Sequence, residues 1–98
     1  MYARVVFTHV EADKEDAVIQ LYNESVVPAT MQQPGFKGLL HLIDRSKGRG
    51  ISITFWETED EMLAGESSGY YQEQLDKFKD NLSVPPTREV YEVNAKVL

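Results

Sequence analysis

Pro34-Gly35-Phe36-Lys37-Gly38-Leu39-Leu40-His41-Leu42-Ile43-Asp44-Arg45-Ser46-Lys47-Gly48-Arg49-Gly50-Ile51-Ser52-Ile53-Thr54-Phe55-Trp56-Glu57-Thr58-Glu59-Asp60-Glu61 decides the fold. Two apolar runs, Phe36 to Ile43 and Ile51 to Trp56, flank the polar turn Asp44 to Gly50. The runs are rich in β-branched and aromatic residues and are bounded by Gly, Asp and Ser, as the two strands of a β-hairpin are. Thr58 followed by Glu61 is a capping-box pattern, so a helix starts just past Trp56. Pro34-Gly35-Phe36 forces a reversal into the hairpin, because glycine tolerates the positive φ such a turn needs.

Before the hairpin lie one strand and one helix. Tyr2 to Val10 alternates Ala3, Val5, Phe7 and His9 with Tyr2, Arg4, Val6, Thr8 and Val10, and neither face is purely polar, so something should pack on each side. Asp13 is placed to cap the next helix, with Glu15 and Asp16 suiting its positive end. Val18, Leu21, Tyr22, Ser25, Val26 and Ala29 form its apolar stripe. Pro28 predicts a kink or a stop near Val27, followed by one more turn before Gln33.

After the hairpin come a helix and a strand. The helix runs from Thr58 to about Glu66, breaks at Ser67-Ser68-Gly69, and resumes from Tyr70 with Tyr71, Leu75, Phe78 and Leu82 on one face and Glu73 spaced to pair with Lys77. Val84-Pro85-Pro86 ends it, and the last strand is read over Arg88 to Val97. The order β-α-β-β-α-β is the ferredoxin-like α+β arrangement, one four-stranded antiparallel sheet with both helices on one face, in a single domain over residues 1–98. The other face, read as carrying Val6, Val10, Leu39 or Leu40, and Ile51 or Ser52, needs a cover. A homodimer stacking sheet on sheet supplies one. A chain this short buries only about 60–65% of its unfolded surface, which also favours a further interface.

Composition narrows the function classes. A net charge of -6 and a pI near 4.8 repel phosphate backbones and anionic membranes. The chain has no cysteine, which removes disulfides, thiolate metal sites and a cysteine nucleophile. The opening apolar run is too short, and too soon interrupted by Arg4, for a signal peptide or membrane span, so a cytoplasmic protein is expected. His9 and His41 are the only imidazoles, the natural general bases for a phenol or quinol proton, and no acidic cluster accompanies them at metal-binding spacing.

Gln33-Pro34-Gly35-Phe36, Ile53-Thr54-Phe55-Trp56-Glu57-Thr58-Glu59 and Tyr91-Glu92-Val93 resemble the dimeric α/β-barrel superfamily and, within it, the antibiotic-biosynthesis-monooxygenase-like domains. The resemblance implies a pocket between sheet and helices and cofactor-independent oxidation of a small aromatic or quinol-like molecule, with no metal and no cofactor. The alternative it leaves open is a non-catalytic, small-ligand-binding or stress-responsive dimer. Within that resemblance His41 or His9 would take the substrate proton, and Trp56, Tyr22, Tyr70, Tyr71 and Arg4 would line the pocket. Each has a plainer role beside this one. Trp56 fills a core, the histidines are hydrogen-bonded strand residues, Tyr71 sits on the core stripe with Tyr70 at the surface, and Arg4 pairs across strands with Glu89 or Glu92. The haem-degrading branch carries an Asn on strand one facing the helices, a second Trp and a helical His. Phe7, Gly65 and the neighbourhood of Leu75 stand at those places, which argues against haem.

Overall fold

The computed structural model describes residues 1–98. Its elements are β1 (Tyr2–His9), α1 (Glu15–Leu21), a π-helical turn (Tyr22–Val26), α2 (Val27–Met31), β2 (Phe36–Asp44), β3 (Arg49–Trp56), α3 (Glu59–Ser67), α4 (Tyr70–Asp76) and β4 (Thr87–Glu92). The strands form one antiparallel sheet in the order β2-β3-β1-β4, the ferredoxin-like order.

The hairpin turn is fastened by the Asp44 carboxylate, which accepts from Ser46 N at 3.0 Å, Ser46 Oγ at 2.6 Å and Lys47 N at 3.2 Å. These bonds hold the Asp44 carboxyl below its usual range. Gly35 (φ +81°) turns the chain into β2 and accepts from Glu57 N at 2.8 Å, tying the start of β2 to the end of β3. Thr58 Oγ1 accepts from Glu61 N at 3.1 Å and donates to Glu61 Oε1 at 3.0 Å, so the Thr58 side chain caps α3, which starts where its sequence places it.

Several local expectations are corrected. Asp13 is not a cap: it takes the left-handed conformation (φ 65°), the helix begins after Lys14, and no side chain caps it. Pro28 does not stop the first helix. The π-helical turn just before it has already left the α-helical hydrogen-bond ladder, so the missing N–H falls at the first turn of α2, where proline is tolerated. Lys77 Nζ bonds Ser25 Oγ and Gln74 Oε1, each at 2.8 Å, rather than Glu73. The last strand runs only from Thr87 to Glu92, ending where Glu92 pairs with Tyr2 and one further hydrogen bond, Val93 N to Met1 O at 2.8 Å, closes the ladder, so it does not reach Val97.

Register settles which residues face the helices. Arg4 stands opposite Thr54 and Val90, and Val6 opposite Ser52 and Arg88. His41 pairs with Ser52, and Leu39 with Thr54. Directly paired residues share a face, so all of these lie on the helix side. Val6 and Val10 therefore belong to the inner face, contrary to the sequence reading. Val10 packs there with Val18, Tyr22, Val26 and Phe78. The outer face carries Val5, Phe7, Leu40, Leu42, Ile51 and Ile53, with Leu40 37% and Leu42 47% exposed in the single chain. No helix of the chain is long and apolar enough to cross a membrane.

Candidate functional site

The site grows from the inner face of β1. Arg4 is 2% exposed and is roofed by α3, where its Nη2 donates to the Met62 carbonyl at 2.6 Å. Its Nε lies 3.4 Å from Glu66 Oε2 without hydrogen-bond geometry, while Arg88 Nη2 reaches Glu66 Oε1 at 2.6 Å. One carboxylate thus serves two guanidinium groups, leaving the cluster one positive charge in excess. The Arg4 guanidinium also lies 4.4 Å from the Tyr71 ring centre and 5.6 Å from that of Trp56, near enough for the ring faces to favour the cation. Burial lowers the Arg4 pKa and Glu66 raises it again; arginine stays charged through such a shift.

The first helix supplies the opposite wall. Tyr22, Val26 and Thr30 recur every fourth residue and are all buried against the sheet. A regular α-helix would rotate such a row by about 40° per step, and the wider π-helical turn takes up that drift. Tyr22 Oη and Ser52 Oγ are 2.7 Å apart, and the Tyr22 ring stacks on His41 with centroids 3.8 Å apart and planes within 12°. Thr30 Oγ1 bonds the Tyr70 hydroxyl at the start of α4.

Between these walls lies a cavity of about 70 Å³, reached by Arg4, Thr54, His41, Ser52, Tyr70 and Gln74 among others. Burial drives His41 down to about 4 and raises Tyr22, Tyr70 and Tyr71, so at neutral pH every titratable group on the cavity is uncharged except Arg4. A neutral imidazole is free to accept a proton. Taking one from an ordinary phenol would still run uphill by about 8 kcal/mol in the closed cavity, six pKa units at roughly 1.4 kcal/mol each. The arrangement is therefore better equipped to orient a polar aromatic and favour its anion than to act as a strong base unaided. No group of three or more His, Cys, Asp or Glu side chains is placed to hold a metal ion.

The sequence profile of the antibiotic biosynthesis monooxygenase family matches residues 1–77. The chain belongs to that family. No curated protein matches it in sequence. Among solved structures it is similar to a protein of unknown function from Nitrosomonas europaea, with a TM-score of 0.80 at 18% identity over 99% of this chain and 92% of that one. It is also similar to the monooxygenase from the ActVA-Orf6 gene of Streptomyces coelicolor, solved with nanaomycin D, with a TM-score of 0.73 at 19% identity over 99% and 90%. An MhuD mutant holding two manganese protoporphyrins per active site gives 0.78 at 17% identity over 99% and 98%. At these identities the likeness is one of fold.

Seen as a member of the monooxygenase family, the chain brings five of its seven candidate residues to one cavity: Arg4, Tyr22, His41, Tyr70 and Tyr71. His9 is exposed on the outer face with Phe7, so it shares no pocket with His41; the odd-numbered residues of β1 point away from the helices. Trp56 is fully buried and does not reach the cavity, its indole N–H donating to Thr54 Oγ1 at 2.9 Å. Phe7 is likewise on the wrong face to stand for the helix-facing Asn of the haem-degrading branch. The inward residues Arg4, Val6 and Thr8 include no Asn either. Arg4 pairs with Glu66 of α3, not with Glu89, which lies outward and accepts from Tyr91.

Thr30, Ser52, Thr54, Gln74 and Glu66 were not singled out from sequence. For two of them a signal existed. On β3 the face carrying Ile51, Ile53 and Phe55 is the more apolar, and the hydroxyls of Ser52 and Thr54 mark the helix-facing side as something other than plain core.

Proposed function

We propose that this protein is a cofactor-independent monooxygenase acting on a small aromatic or quinol-like substrate held between the sheet and the helices. What carries this reading is the cavity: a hydroxyl-rich space with one buried cation, in a chain of the monooxygenase family. An acidic phenol or quinol with its oxygen toward Arg4 loses its proton to His41. The anion formed beside the imidazole raises the imidazolium pKa again, offsetting part of the cost of burial. The electron-rich anion then reacts with O2. In an anthrone-type substrate one oxygen atom becomes a ring carbonyl, the other leaves as water with the two hydrogens of the oxidised carbon, and no outside reductant is needed. The protein contributes orientation and electrostatics.

The test is oxygen uptake by the purified protein with a panel of quinols and anthrones. Uptake above the protein-free rate that falls in Arg4→Met and His41→Phe variants supports the reading. Uptake at the protein-free rate across the panel rejects it. A non-catalytic ligand-binding role is the second reading, favoured by the cavity volume, which is below the roughly 300 Å³ usual for small-molecule sites, and by hydroxyls already paired with one another. The working unit in either case is a homodimer joined through the outer sheet face, whose six apolar side chains want a cover. Sedimentation of the wild type as a dimer and of Leu42→Glu as a monomer is the expected result.

A further inference from the structure

The 16 residues that line the inner cavity include no Asp or Glu, in a chain that carries 16 acidic residues against 10 basic ones. The one full charge on the lining is that of Arg4, which is 2% exposed. Of its donors, Nη2 is spent on the Met62 carbonyl, and Nε faces Glu66 Oε2 at 3.4 Å with neither atom hydrogen-bonded. Glu66 gives its short contact to Arg88 instead, through Oε1 at 2.6 Å. Arg4 Nη1, with two N–H groups, bonds nothing in the chain. A buried guanidinium ordinarily has its donors taken and its charge matched. Arg4 is short of both. We propose that the closed cavity is a site for one small oxyanion of single charge, of the formate or hydrogencarbonate class, held by Arg4 Nη1.

The other polar groups on the lining have hydrogens to give. Thr54 stands directly opposite Arg4 across β1 and β3, which puts the two Cβ atoms about 5 Å apart on one face. Its Oγ1 accepts the Trp56 indole N–H at 2.9 Å, so its own hydroxyl hydrogen is left to donate and has no acceptor in the chain. The hydroxyl pairs Thr30–Tyr70 and Tyr22–Ser52 each use one hydrogen internally and keep the other. Gln74, 7% exposed, has its carbonyl oxygen occupied by Lys77 at 2.8 Å, which leaves its amide as a donor. Size sets the limit. At about 70 Å³ the cavity has roughly half the 150 Å³ that accommodates a benzene ring, which suits an ion of three or four heavy atoms and not a ring with the walls where they stand. One negative charge is the right number, because two guanidinium groups and one carboxylate leave a single positive charge over. Arg4 shed its water when the chain folded, so an arriving anion gains a charge-assisted hydrogen bond without that cost. The site goes beyond the monooxygenase reading and needs no oxygen chemistry; where that reading holds, the ion takes the place of the substrate oxyanion.

The test is an NMR titration of the full chain with sodium formate at neutral pH, with ionic strength held by sodium gluconate, an anion too large for the cavity. Saturable shifts centred on Arg4, Thr54 and Tyr70 are expected. Arg4→Met should weaken formate binding by about tenfold or more and Thr54→Val by about fivefold, while Thr54→Ser, which keeps the hydroxyl, should stay within about twofold of wild type. Glu66→Gln removes the carboxylate that competes for Arg4 and should tighten binding by about threefold or more, a direction that general damage to the fold would not produce. The double change Arg4→Met with Glu66→Gln takes the place of Arg4→Met if the latter fails to fold by circular dichroism. Leu63→Ala, an exposed change on α3 away from the cavity, should leave binding unaltered. No saturable shifts in the wild type, the same shifts from gluconate alone, Arg4→Met within about twofold of wild type, or weaker binding in Glu66→Gln would each overturn the proposal. Formate binding without oxygen uptake on any quinol keeps this site and rejects the monooxygenase function. Oxygen uptake by a protein that binds no formate does the reverse, and if both hold, formate should raise KM for the quinol and leave kcat unchanged.

Discussion

Replacing His41 by Phe should remove a pH-dependent weakness of the native state. The imidazole is stacked on Tyr22 and half-buried in the cavity wall, and burial holds its pKa at about 4 against an ordinary 6.5. The unfolded chain therefore binds a proton that the folded chain refuses throughout that interval. The stability contributed by neutral His41 is complete above about pH 6.5 and is lost as pH falls toward 4, where the penalty levels off. At pH 5.5 the full shift corresponds to about 1.4 kcal/mol, and partial solvent access reduces this to about 1 kcal/mol. Phe keeps the aromatic stack and does not titrate. Urea unfolding at pH 7.5 and 5.5, clear of the pI near 4.8 and at one protein concentration, should show wild type losing about 1 kcal/mol more than His41→Phe between the two pH values. An NMR titration should place the His41 ring near 4. A ring titrating at 6.5, or parallel losses in both proteins, would refute the assignment of a desolvated imidazole.

Glu66→Gln should cost about 2–3 kcal/mol, since it strips the counter-charge from a buried guanidinium, and the double change Arg4→Met with Glu66→Gln should recover most of that in thermal or urea unfolding. Tyr70→Phe orphans the Thr30 hydroxyl, which is 1% exposed; a loss of about 1–2 kcal/mol is expected, with hydrogen exchange faster in α4 than in the sheet. Thr58→Ala removes the α3 cap and should lower stability by about 1 kcal/mol without altering ligand association.

The sequence by itself determined the element order, the place of the hairpin and the α3 start, because each rests on interactions between residues close along the chain. The alternation of β2 and β3, the Asp44 turn and the Thr58–Glu61 cap are all of this kind. It also brought out the family, through motifs that serve a turn and a helix cap. What it left open was which face of each strand looks inward. Both faces of β1 are apolar enough to be buried, so hydropathy could not choose between the Val6 and Phe7 parities. The choice depends on where the helices lie, and that placed Arg4 and His41 inside and His9 outside. The tertiary structure alone decided the partners of Arg4, Met62 and Glu66 of α3, some sixty residues away, and the pairing of Thr30 with Tyr70 across forty. Such contacts leave no periodic trace in the chain. The cavity volume is likewise a property of packed surfaces, set by how closely α4 settles against the sheet.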